Sequence, residues 1–135
     1  MDMDTLDMAG NWTLIYGYTP GLFTDRAGHW RPATQRDKFF DVALERTGPG
    51  DHGGMKFKGT FKDNNAVSIV GETLYGRNGV QVVQMRLQSS RSPGYYELLC
   101  GRHQIYQPHD PVEILGCWVS TGGSSNIGNF VLVRK

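Results

Sequence analysis

The sequence predicts an all-β chain, an eight-stranded antiparallel up-and-down β-barrel with a long first loop. Three observations carry this. Eight segments with strand character follow one another, most of their links are short and rich in Gly, Pro, Asn and Asp, and no stretch shows a competing helical period. The composition agrees, since 18 glycines and 11% aromatic residues suit tight turns between short strands.

In chain order the segments are Gly10 to Tyr18, Lys38 to Arg46, Met55 to Lys62, Ala66 to Leu74, Val80 to Gln88, Tyr95 to Tyr106, Val112 to Ser120 and Ile127 to Lys135. The clearest is the third, where Met55, Phe57, Gly59 and Phe61 alternate with Lys56, Lys58, Thr60 and Lys62, the pattern of a half-buried strand. Short links such as Asp63-Asn64-Asn65 and Gly76-Arg77-Asn78-Gly79 force neighbouring strands to run antiparallel. Closing such a meander into a barrel removes both exposed edges. A chain of 135 residues supports one core, so residues 9–135 are read as a single barrel domain behind a flexible lead, residues 1–8.

One link departs from the rule. Thr19 to Asp37 spans 19 residues and carries Phe23, His29 and Trp30. Its aromatic content suggests a lid over the barrel mouth, or a loop that plugs an open end.

Fourteen basic residues stand against 13 acidic ones, in no long run of either sign, so no nucleic-acid partner and no membrane partner is expected. Met1 to Met8 lacks the basic and apolar regions of a signal peptide, and no stretch approaches the ~20 apolar residues of a membrane span. The expectation is a soluble, cytoplasmic protein. Without a secretory signal, the glycosylation-type tripeptide Asn11-Trp12-Thr13 carries no weight. The two cysteines, Cys100 and Cys117, fall in neighbouring predicted strands and are read as buried free thiols.

The first strand opens Gly10-Asn11-Trp12, a Gly-x-Trp, and the last ends Val133-Arg134-Lys135. With the strand count and the long first loop, this resembles the calycin superfamily of lipocalins, fatty-acid-binding proteins and avidins. The resemblance implies that Trp12 and Arg134 seal the closed end of the barrel, the guanidinium lying against the indole. Such a stack contributes roughly 0.5 to 2 kcal/mol. The avidin-like biotin site needs polar side chains after the first-strand Trp, where this chain has Leu14, Ile15 and Tyr16. Secreted lipocalins carry a signal and a disulfide, so an intracellular lipocalin-like barrel fits better.

Phosphate-loop, zinc and nucleophile-elbow motifs do not occur, and the four histidines, His29, His52, His103 and His109, are scattered. Neither a metal nor a cofactor is expected. If Trp12 points inward, period two sends Leu14, Tyr16 and Tyr18 inward as well, toward the mouth. Tyr16, Tyr18, Trp30, Tyr96 and Trp118 are candidate ligand contacts, each of which could equally be core. Arg86 and Arg102 are candidates for an anionic ligand group if they face inward, and solvated side chains if they do not. Parity groups Gln84 with Arg86 against Val83, Met85 and Leu87, and Tyr96, Leu98, Cys100 and Arg102 together, but it leaves open which set lines the lumen.

Both faces of the last two strands are apolar, with Ile114, Gly116 and Trp118 alternating with Leu115, Cys117 and Val119. A homodimer or homotetramer through this edge is therefore expected. Three functions fit: a carrier or sensor for a small hydrophobic or aromatic molecule in the barrel mouth, an isomerase or cyclase using the same pocket with a Tyr or Arg as polarising group, and a protein-interaction module without ligand.

Overall fold

The computed structural model describes residues 6–17, 22–24, 30–32, 38–75, 81–92, 94–104, 112–121 and 127–135. Among the described residues there are ten strands: β1 (Gly10–Gly17), β2 (Leu22–Thr24), β3 (Trp30–Pro32), β4 (Lys38–Pro49), β5 (Gly53–Phe61), β6 (Asn64–Tyr75), β7 (Gln81–Ser89), β8 (Tyr96–Gln104), β9 (Glu113–Thr121) and β10 (Ile127–Arg134). Eight of them close into an antiparallel barrel in the order β1-β10-β9-β8-β7-β6-β5-β4. Every barrel neighbour except β1–β4 and β1–β10 is also a neighbour in sequence, the up-and-down order that short turns dictate. Among the described residues no helix is long and apolar enough to cross a membrane.

Register settles the question of faces that parity leaves open. Val83, Met85 and Leu87 are buried and face Gly101, Leu99 and Glu97, so these residues point into the barrel. Gln84, Arg86, Leu98, Cys100 and Arg102 occupy the alternate positions and are exposed on the outer wall. The core joins Trp12, Leu14, Val42, Leu44, Met55, Phe57, Ile69, Met85, Leu99, Ile114, Trp118, Phe130 and Leu132 from all eight barrel strands in one cluster.

At one end the indole of Trp12 is wholly buried, directly opposite Arg134, whose guanidinium lies 4.7 Å over the ring. The indole Nε1 donates to the carbonyl of Met8 at 2.9 Å, and Arg134 Nη2 donates to the carbonyl of Asp7. Leu6 and Met8 are buried in the core cluster, and the Leu6 amide donates to Gln81 Oε1 at 2.7 Å. Residues 6–8, expected in a flexible lead, therefore form the floor of the barrel. Alternation of Asp with Met and Leu in this short stretch is that of a strap with one side down. Lys135 adds an ion pair to Asp41 at 2.5 Å, and that hydrogen bond holds the Asp41 carboxyl below its ordinary value.

Two bulges shape β5. One lies between Gly53 and Lys56, where Thr73 Oγ1 accepts from the Met55 amide at 2.8 Å, and Gly53 adopts the left-handed φ of 88° that the kink requires. The second follows Thr60.

The long first link contains a small hairpin of β2 and β3, and β3 lies against β10 and β1. Val131 points outward from β10 by parity yet is wholly buried, and this cover is supplied by the chain itself. Part of the apolar outer face of the last strands is thus used within the barrel. The cysteines also differ from expectation: both are exposed free thiols on the outer wall, because they alternate with the inward Leu99, Gly101, Gly116 and Trp118.

Candidate functional site on the outer wall

Among the described residues, inward rings are seated on glycines. A Cβ on Gly71 would come within 2.3 Å of Phe57 Cζ, and one on Gly101 within 2.7 Å of Phe130 Cζ, so each ring occupies the space that the glycine vacates. Trp118 is buried among these rings, and its Nε1 donates to the Gly17 carbonyl at 3.0 Å. The structure thus gives Trp118 a packing role and a satisfied hydrogen bond.

Of the other residues that sequence reasoning singled out, Tyr16 pairs with Phe130 in the β1–β10 register. Its side chain, that of Trp30, and all of Tyr18 lie outside the described residues. Arg86, Tyr96 and Arg102 project from the outer wall, not into the mouth. Arg86 and Tyr96 are together, the guanidinium 4.2 Å over the phenol ring, while Arg102 sits farther along β8.

Arg86 lines a groove of about 780 Å3 across the outside of β5, β6, β7 and β8. Its origin is the register. Lys58, Val70, Arg86 and Leu98 are successive cross-strand partners and form one lip. Lys56, Glu72, Gln84 and Cys100 form the other. Between them the backbones of Phe57, Gly71, Met85 and Leu99, inward-facing residues, make the floor. A second depression of about 610 Å3, between β4, β5 and β6, shares Lys58 and Val70.

The charges around the groove are largely matched in place. Lys56 pairs with Asp51 at 3.1 Å and Lys58 with Glu45 at 3.4 Å, while Glu72 accepts from the Asp51 amide at 2.6 Å. Such exposed pairs contribute little to stability, at about 0 to 1 kcal/mol each. They leave a near-neutral rim around an apolar lip, where Val70 is 60% and Leu98 42% exposed. Arg86 is steadied by Tyr96 and by Gln88 Oε1 at 2.9 Å. A guanidinium stacked on a ring still presents in-plane N–H donors, and those not given to Gln88 suit a carboxylate or phenolate.

Sequence reasoning sought a ligand in the mouth and singled out Arg86 but not the groove that it lines. The available signal was Val70 and Leu98, apolar residues at otherwise polar outward positions. Among the described residues no three of His, Cys, Asp or Glu are grouped to hold a metal ion.

His103 lies on the inner face near the closed end, opposite Ile114. Burial pushes its imidazole below the ordinary value of 6.5, and the Arg134 guanidinium adds to that shift. The unfolded chain then binds the proton more readily than the folded one. The stability tied to neutral His103 is complete above the unfolded value and is lost as the pH falls through it toward the folded one. Thermal melts between about pH 7.5 and 5.5 should show the parent losing stability toward acid more steeply than His103→Gln. Parallel profiles would refute this.

Comparison with known proteins finds no matching family model, no matching curated protein and no matching solved structure. The class is therefore defined by the geometry alone: a closed, eight-stranded, antiparallel up-and-down barrel with a groove on its outer wall.

Proposed function

We propose that the protein is a calycin-like, non-enzymatic binding barrel for a small hydrophobic or aromatic molecule, held in the outer-wall groove. The observation that carries this reading is the groove itself. Its volume of about 780 Å3 falls within the range of small-molecule sites, roughly 300 to 1,000 Å3. One lip carries the exposed apolar side chains of Val70 and Leu98, and Arg86, stacked on Tyr96, is an oriented cation suited to an anionic or phenolic end. Among the described residues, Trp118 and Phe130 are buried on the inner wall and take up luminal space, which supports the groove over a deep luminal ligand. A cytoplasmic setting belongs to the proposal, since a reducing compartment keeps the exposed Cys100 and Cys117 as thiols.

The test is a titration with anilinonaphthalene sulfonate, an aromatic anion, followed by amide chemical shifts. Perturbations should cluster at Val70, Gly71, Arg86 and Leu98. Leu98→Glu should weaken binding at least ~10-fold, the equivalent of about 1.4 kcal/mol, with little change in melting temperature because Leu98 is exposed. Shifts confined to Tyr16 and Tyr18, with binding lost in Trp30→Ala, would return the site to the mouth. Turnover of a bound natural molecule would favour the isomerase or cyclase alternative.

A second reading has its own observation. The apolar lip continues past the groove, since Leu98 faces Val119 and Val119 faces Ile127, exposed at 39% and 51%. This extension supports self-association through β9 and β10. Sedimentation should then show a dimer or tetramer that Val119→Glu converts to monomer. A parent that stays monomeric at high micromolar concentration would dismiss it.

A further inference from the structure

We propose that Cys100 and Cys117 form a reversible dithiol–disulfide couple on the outer wall, exchanging with low-molecular-weight disulfides such as oxidised glutathione. The inference is independent of what the groove binds. The chain has only two cysteines, and they are directly opposite partners on β8 and β9. The β8–β9 register is what brings the pair together. Both thiols are free, exposed and on the same face, and no third thiol competes.

The geometry suits closure. Directly opposite residues of an antiparallel pair have Cα atoms about 4.5 to 5.5 Å apart, within the ~4.4 to 6.8 Å that a disulfide spans. The next rung, Gly101 opposite Gly116, carries no side chains, and a Cβ on Gly116 would meet the Cys100 carbonyl oxygen at 2.0 Å, so β8 and β9 approach closely here. Neither thiol is engaged in a core contact that oxidation would have to break, since the residues flanking them, Leu99 and Trp118, face inward.

The exchange runs in two steps. One cysteine thiolate attacks a sulfur of the glutathione disulfide, forming a protein–glutathione mixed disulfide and releasing one glutathione thiol. The opposite thiolate then attacks the protein sulfur of that mixed disulfide, forming the Cys100–Cys117 bond and releasing the second glutathione. The protein loses two electrons and two protons, and one glutathione disulfide is reduced to two thiols. Exposed disulfides belong to the labile, reversible group, unlike those sealed in a core.

The experiment equilibrates the full chain in buffers of graded reduced-to-oxidised glutathione ratio, quenches with an alkylating agent and reads intact mass. One transition is expected, from a doubly alkylated species to an unalkylated one lighter by about 2 Da than the dithiol, reversed by dithiothreitol. Cys117→Ser should instead stop at the mixed disulfide on Cys100, and Cys100→Ser at that on Cys117. Circular dichroism checks that both exposed-site variants fold. Thiols that remain alkylatable at every ratio, a wild-type mixed disulfide that persists, or a covalent dimer in place of the internal bond would each overturn the proposal.

Discussion

Trp12→Ala is expected to lose about 3 to 5 kcal/mol of folding stability, the range for truncating a large buried ring. Three contributions converge on the indole. It fills core volume beside Val42, its Nε1–H satisfies the Met8 carbonyl, and its face supports Arg134. The buried Nε of Arg134 makes no hydrogen bond among the described residues, so the ring is its main neighbour on that side. Removing the ring leaves a void, an unpaired carbonyl and an unsupported cation together. The unfolding midpoint should drop by roughly 10 to 20 °C. Trp12→Phe should fall between, since it keeps the aromatic face but loses the N–H. A urea or thermal midpoint for Trp12→Ala close to that of the parent would show that the end is held by something else.

Gly116→Ala should cost about 3 kcal/mol, the upper part of the usual range for overpacking. Its Cβ would lie 2.0 Å from the Cys100 oxygen and 2.5 Å from the Gly101 Cα. These are backbone atoms, which cannot rotate aside as a side chain could. Relief requires β8 and β9 to separate, and Phe130, packed over Gly101 on the same inner row, would lose its seat. Denaturant midpoints measure the cost, and hydrogen exchange should locate the loosening in β8 and β9. A neutral substitution with unchanged exchange would disprove the close approach.

The barrel was legible because its information is local. Alternation in Met55 to Phe61 and turn residues between segments define strands whatever surrounds them, and the eight predicted strands are those that close the barrel. The pairing of Trp12 with Arg134 was legible too, through resemblance. What escaped is set by register or by distant contacts. Parity could group Gln84 with Arg86 but not say which way they point, because that depends on contacts between strands, such as the glycines on nearby strands that accept Phe57 and Phe130. Leu6 and Met8 read as a tail until their partners, Gln81 and Trp12, are known. Cys100 and Cys117 read as core thiols until the β8–β9 register sets them side by side outside. The groove is likewise a product of register, built from residues on four strands that no sequence window contains.

The pairing of the first barrel strand with the last also bears on how the molecule is made. The bond from Trp118 to Gly17 joins residues 101 apart, and that from Arg134 to Asp7 residues 127 apart. Hairpins from β4 to β10 can form as neighbours meet, whereas the β1–β10 seam requires nearly the whole chain to be in place. Until then β10 is a bare strand edge of apolar sequence, the kind that pairs with other chains. Weakening the seam should therefore speed unfolding more than it slows folding, which stopped-flow kinetics of Trp12→Phe would reveal; a change confined to the folding rate would place the seam in the nucleus. The interval before closure is the period in which this chain is most exposed to aggregation.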